Sequence, residues 1–175
     1  IPWRPCGLGT GTLACIEGAQ PGRTILLRGD IDALSVNEET GLPYASEVPG
    51  VMHACGHDCH LPMLLTAAMT DNVNRDRLKG TIVFAFQPAE ELGLGARAMI
   101  EEGALEGVDA CFGMHVWSDY PAGTVALRKG PMMASGDQFK IHVRGKSTHG
   151  AQPQLGADAL IMGAAIAQNL QTIVS

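Results

Sequence analysis

Aromatic residues are scarce in this sequence, at 5% of 175 residues, whereas glycine is abundant, with 22. That balance suits an α/β protein with many tight strand–helix turns. No cluster of Lys and Arg appears, and 18 acidic against 12 basic residues give a net charge of −6. This charge excludes nucleic acid and an anionic membrane surface as natural partners. No uninterrupted apolar run long enough for a membrane span is present. The most apolar stretch, 155-LGADALIMGAAIAQNLQTIVS-175, is broken by Asp158, Gln168, Asn169 and Gln171 and reads as a packed helix. No signal peptide, internal repeat or low-complexity tract is visible in these residues. Five cysteines, an odd number without scaffold-like spacing, argue for reduced thiols in a cytoplasmic protein. The chain begins at Ile1 rather than Met, so its natural N-terminus is expected upstream.

Against these absences stands one crowded stretch, 51-VMHACGHDCHLPML-64, with three histidines, two cysteines and an aspartate between His53 and His60. Its meaning depends on the elements around it. Apolar runs at 10–18, 24–30, 81–87, 109–116 and 124–130 predict strands. Those at 24, 81 and 109 are nearly continuous, as expected of strands covered on both faces. Helices are predicted over 58–73, with Asp58 as cap and Pro62 near the first turn, over 95–103, and over about 156–173. The alternation implies a mixed, largely parallel sheet flanked by helices. Near 131-PMMASGD-137 the character changes to one alternating, half-exposed strand, 138-QFKIHVRG-145, followed by the loop 146-KSTHGAQPQ-154 and the last helix. The expected organisation is a metal-binding domain portion over 1–131 and the beginning of an α+β domain over 132–175.

In open α/β sheets ligands bind beyond the carboxyl ends of the strands. Asp30 and Asp32 end one predicted strand, Gln87, Glu90 and Glu91 follow a second, and His115 ends a third. Cys55, His57, Asp58 and His60 lie in the loop before a helix. Thiol, imidazole and carboxylate together suit a borderline ion such as Zn²⁺, Mn²⁺, Ni²⁺ or Co²⁺ rather than Ca²⁺ or Mg²⁺. Cys55 and His57, two apart on a loop, can reach one centre. Adjacent carboxylates repel, so Glu90 and Glu91 ionise together easily when one binds a cation, leaving the other as a general base.

The segments 27-LRGDIDAL-34, 52-MHACGHD-58, 86-FQPAEE-91, 113-GMHV-116 and 144-RGKSTHGAQP-153 resemble, in order and approximate spacing, the M20 metallopeptidase family, most closely its amidohydrolase subgroup. That subgroup includes aminoacylase-like, hippurate hydrolase-like and indole-acetyl-amino-acid hydrolase-like enzymes. The resemblance implies the family's catalytic domain followed by the start of a lid and dimerisation domain. It implies two divalent metal ions, Mn²⁺ or Zn²⁺ foremost, held by Cys55, His57, Glu91 and His115, with Cys55 bridging. Glu90 would be the general base toward a metal-activated water, and Asp32 would orient a ligand histidine. His149 would reach substrate, often in the partner subunit of a homodimer formed through the lid. The implied activity is cleavage of the amide bond of N-acyl amino acids or small peptide-like substrates. Relatives of this kind are longer and supply a further ligand histidine from a C-terminal segment outside these residues. Gly29, Ser35 and Cys59 depart from common family residues without touching the implied ligands.

Two other functions are open to the same residues. One is a cysteine hydrolase with Cys55 as nucleophile and His57 or His115 as base, which leaves Glu90 and Glu91 unexplained. The other is a non-catalytic metal-binding or dimerisation fragment. The plainer roles also have their candidates. Asp30 reads as structural. His53, Asp58 and His60 read as capping residues, loop hydrogen-bonding residues or supports behind the ligands, and His142 as solvated. Cys6, Cys15, Cys59 and Cys111 read as ordinary thiols, and Met63, Met69, Met99 and Met162 as core.

Overall fold

The computed structural model describes residues 1–173. It divides into two units, Ile1–Thr124 and a second beginning at Val125. Five strands form one sheet in the first unit: β1 Trp3–Pro5, β2 Thr12–Glu17, β3 Gln20–Asp30, β4 Lys79–Gln87 and β5 Ala110–Gly113. Their order is β1-β2-β4-β3-β5. β3 pairs in parallel with both β4 and β5, while β2 runs antiparallel to β4 and β1 antiparallel to β2. This is the mixed, largely parallel sheet expected. β1 is an addition that sequence patterning misses, because three exposed residues containing a proline carry no period.

Side chains alternate across the pleat, so each strand feeds two cores. Leu13, Leu26 and Ala85 pack with Cys6, Met99 and Ala104 on one face, beside helix α2, Gly95–Glu101. Ala14, Ile16 and Phe84 pack with Leu64 and Ala68 of helix α1, His57–Val73, on the other. The chain leaves β3 through α1 to reach β4 on one side, then returns through α2 to place β5 on the other side of β3. The topological switch point therefore lies between β3 and β5, at the carboxyl ends of three parallel strands. Phe84 is fully buried at the centre of the α1 face. Phe84→Ala is expected to cost about 3–5 kcal/mol of stability, read from the denaturant midpoint of the intact protein.

α1 carries the fold into the site. Its buried residues His57, His60, Leu64 and Ala68 recur at three- and four-residue spacing, one stripe along the helix. The stripe is apolar where it meets the sheet and ends in two imidazoles where it passes the strand ends. The helix starts one residue earlier than predicted, with Gly56 rather than Asp58 at the cap position. Asp58 instead sits in the first turn, where its charge faces the positive end of the helix dipole. Pro62 falls in the second turn, not the first. Met63 and Met69, expected as core, lie off the buried stripe and are exposed, whereas Met99 is buried.

In the second unit, helix α3, Ala159–Leu170, is capped by Asp158, whose Oδ1 accepts from Leu160 N–H at 2.9 Å and Ile161 N–H at 3.2 Å. It is shorter than the predicted 156–173 and passes into a 3₁₀ turn, Gln171–Ile173. Residues 174 and 175 lie outside the described residues. Met162, expected as core, is exposed on it. The segments 124–130 and 138–145, predicted as strands, form no ladder among the described residues. A strand needs a neighbour's N–H and C=O groups. Here the described pairing is the isolated bridge between Lys146 and Ala157. Among the described residues no helix is long and apolar enough to cross a membrane.

Candidate metal centre

Four segments meet beyond the carboxyl ends of β3, β4 and β5. Cys55 and His57 flank Gly56, whose φ of 84° lies in the left-handed region that glycine adopts without strain. A Cβ at Gly56 would stand 2.4 Å from Val116 Cγ2. Gly56→Ala is therefore expected to destabilise the protein by about 1–3 kcal/mol and weaken ion binding, measured by unfolding with and without added Mn²⁺. The Glu90–Glu91 turn after β4 is held by Ala89, at φ 49°, whose carbonyl accepts from Leu94 and Gly95 N–H groups, each at 3.2 Å.

His57 is 1% exposed and lies at the centre. Its Nδ1–H donates to the Asp32 carbonyl at 2.9 Å, and the Asp32 carboxylate Oδ1 stands 3.4 Å from the same nitrogen. A carbonyl only accepts, so Nδ1 carries a proton and Nε2 is the nitrogen left to face an ion. Nε2 has no hydrogen-bond partner. It faces Glu90 Oε2 and Glu91 Oε1, each at 3.8 Å. Glu91 Oε1 is buried and unpartnered as well. Asp32 Oδ2 accepts from Glu91 N–H at 3.1 Å, so one aspartate orients both the histidine and the turn that carries the glutamates.

His115 follows β5, with Nε2 3.5 Å from Cys55 Sγ and Nδ1 bonded to the Val116 carbonyl. Its ring meets those of His57 and Trp117 edge-on, with centroids 6.2 Å and 5.8 Å away. Burial, then the Glu91, Glu90 and Asp30 carboxylates, push the Cys55 thiol up to about 11. The field that disfavours a thiolate here favours a cation. Cys55, His57 and His115 offer ligand atoms within 4.8 Å of one another, as do His57, Glu90 and Glu91. Two ion-sized groupings thus share His57. Orphaned buried atoms and a soft–borderline donor set fit divalent ions, and the implied ligands Cys55, His57, Glu91 and His115 lie together.

Asp30, read as structural, and His60, read as a capping, loop or supporting residue, both lie beside His57. Both are buried, and His60 Nδ1 lies 2.5 Å from Asp30 Oδ1. Burial pushes the Asp30 carboxyl up, but the His60 hydrogen bond, then Arg28 and the two imidazoles, outweigh it and hold it below the ordinary carboxylate range. The signal for His60 was its i, i+3 spacing from His57 at a helix start. His53 and Asp58 are exposed and outside the cluster. His149, in the second unit, is exposed, and its Nδ1 accepts from Ala151 N–H at 3.1 Å in a local turn.

The description "Peptidase family M20/M25/M40" matches residues 26–172. The chain is 51% identical over 175 residues to an N-acetyl-L-cysteine deacetylase of Bacillus subtilis (strain 168), covering all of this chain and 42% of that protein. It is 47% identical over 167 residues to an N-acyl-L-amino acid amidohydrolase of Geobacillus stearothermophilus, covering 95% of this chain and 45% of that one. Among solved structures, a Bacillus subtilis protein described as a dinuclear metal binding peptidase superposes with a TM-score of 0.69 at 52% identity, covering 71% of this chain and 35% of that chain. A putative aminohydrolase from methicillin-resistant Staphylococcus aureus gives 0.79 at 37% identity, covering 99% and 45%. The chain spans less than half the length of these curated relatives.

Proposed function

The chain belongs to peptidase family M20/M25/M40, and from that premise we propose that the intact protein is a metal-dependent amidohydrolase of N-acyl amino acids or small peptide-like amides. The observation that carries this is the unpartnered His57 Nε2 facing Glu90 and Glu91, with Cys55 and His115 alongside. Cys55, His57, Glu91 and His115 hold two divalent ions, Mn²⁺ or Zn²⁺ foremost, Ni²⁺ or Co²⁺ as alternatives. When bound, the ions polarise the scissile carbonyl and make an attacking water more acidic. Glu90 removes the proton of that water and returns it to the leaving amine. Asp32 fixes the His57 tautomer and the Glu91 backbone. The second unit begins a lid through which two copies pair, and its exposed His149 reaches substrate and stabilises developing negative charge. This reading divides the chain at about residue 132. Five free cysteines support a cytoplasmic location.

A strong chelator is expected to abolish hydrolysis of N-acyl amino acids by the intact protein, and Mn²⁺ or Zn²⁺ to restore it. Turnover surviving complete metal removal would sink the proposal. The same measurement separates a non-catalytic fragment, which would bind metal in stoichiometric amounts without turnover.

A cysteine nucleophile is disfavoured by the field around Cys55. With its pKa raised to about 11, the thiol is protonated across the neutral range and ionises only as pH approaches that value. In the metal-free protein at pH 7–8, iodoacetamide is expected to modify exposed Cys59 well before Cys55. Cys55 alkylation should rise about tenfold per pH unit up to about 11, followed by mass spectrometry of the two peptides. Rapid Cys55 alkylation at pH 7 would revive the nucleophile.

A further inference from the structure

Asp30, His57 and His60 also bring three ligand atoms within 4.8 Å, a third grouping that could be taken for part of the metal centre. The hydrogen bonds argue otherwise. His60 Nε2 receives the Val116 N–H at 2.9 Å. A peptide N–H can only donate, so Nε2 is the lone-pair nitrogen and Nδ1 carries the proton that goes to Asp30 Oδ1. The one lone pair with which His60 could ligate an ion is already engaged. Asp30 Oδ2 makes no hydrogen bond but lies 2.8 Å from Arg28 Nη1 as an ion pair, a fixed positive charge that opposes a cation beside it. Arg28 is itself aimed by Gln87, whose Oε1 accepts from Arg28 Nε at 2.8 Å. Gln87, Arg28, Asp30 and His60 therefore form one chain of fixed polarity from β4 through β3 to α1. It ends on the peptide next to His115, whose ring lies 4.6 Å from that of His60.

We infer that His60 is a positioning residue for His115: Asp30 holds it in the Nδ1–H tautomer, and its Nε2 anchors the Val116 peptide and so aims the His115 imidazole at Cys55 and His57. β5 is four residues long and exposed, so the segment beyond it needs such an anchor to place a side chain. The inference rests on the proposed ligand role of His115. Partners of this kind change metal affinity about 10–100-fold when removed.

The test uses the intact protein with ¹⁵N-labelled histidine and ¹¹³Cd²⁺ as the probe ion. The unsubstituted protein should show His60 as the Nδ1–H tautomer both without and with Cd²⁺. Coupling to ¹¹³Cd should appear at His57 and His115 and not at His60. His60→Phe should weaken one of two Cd²⁺ sites by about 10–100-fold. His60→Gln, whose amide oxygen can still accept from Val116 N–H, should recover most of that loss. An Nε2–H tautomer, ¹¹³Cd coupling to His60, or unchanged Cd²⁺ affinities in His60→Phe would each overturn the inference. If His60→Phe does not fold, the tautomer, the coupling and the Gln variant still decide. Failure of the unsubstituted protein to take up Cd²⁺ would overturn the metal-centre proposal instead, while the metal-free tautomer would still decide the place of His60.

Discussion

Glu90→Gln in the intact protein should lower kcat by about 10²–10⁴-fold, the range general acid–base catalysis supplies, while leaving metal content unchanged. Glu91→Gln should instead reduce metal affinity, and activity should recover in part at high Mn²⁺ or Zn²⁺. The two carboxylates are neighbours in sequence and each stands 3.8 Å from His57 Nε2, so distance does not separate their roles. Their surroundings do. Glu91 Oε1 is buried without a partner, and the Glu91 peptide is tied to Asp32. It is fixed and incompletely satisfied, which suits a ligand. Glu90 is more exposed, with 38% of its side chain accessible against 26% for Glu91. A group that shuttles a proton between water and an amine has to reach both. Steady-state kinetics paired with metal analysis on each variant checks the division. A Glu90→Gln protein that loses its metal, or a Glu91→Gln protein that keeps both ions and loses turnover, would reverse the assignment.

The parts of this site that sequence reading reaches are those governed by topology. Parallel strands read as apolar runs even where, as in β5, the strand is exposed, and a polar residue just after such a run falls at the carboxyl edge. Asp32, Glu90, Glu91 and His115 are found this way, and all four are where that rule puts them. The rule brings Asp30 to that edge as well, but what Asp30 and His60 do there escapes it, because a strand-end aspartate and a helix-start histidine each have an ordinary reading. Their roles depend on partners 30 and 56 residues away, Asp30 for His60 and Val116 for His60 again. Only the fold supplies such partners. The segments 124–130 and 138–145 fail for a related reason. Alternation specifies which face of a strand is buried, but a strand forms only beside another. β1 fails in the opposite sense: its pairing to β2 is made by backbone groups, which side-chain periodicity does not report.

His57→Ala should abolish turnover and also remove the stabilisation that divalent ions give the intact protein. His57 is the residue common to both candidate ion groupings, so its loss opens both at once. In the metal-free protein, His57 Nε2 has the carboxylates of Asp30, Glu90 and Glu91 at 3.6, 3.8 and 3.8 Å, and Asp32 flanks its other nitrogen. The buried His57 Nε2 and Glu91 Oε1 have no hydrogen-bond partner, a desolvation cost of folding that a bound cation offsets. An ion that binds the native state at 1,000 times its Kd stabilises by about 4 kcal/mol. Unfolding of the unsubstituted protein in denaturant should therefore shift to a higher midpoint by that order when Mn²⁺ or Zn²⁺ is added, and return with chelator. His57→Ala should show one midpoint with and without metal. A variant that retained the full metal-induced shift would move the centre of the site away from His57, onto Cys55, Glu91 and His115 alone.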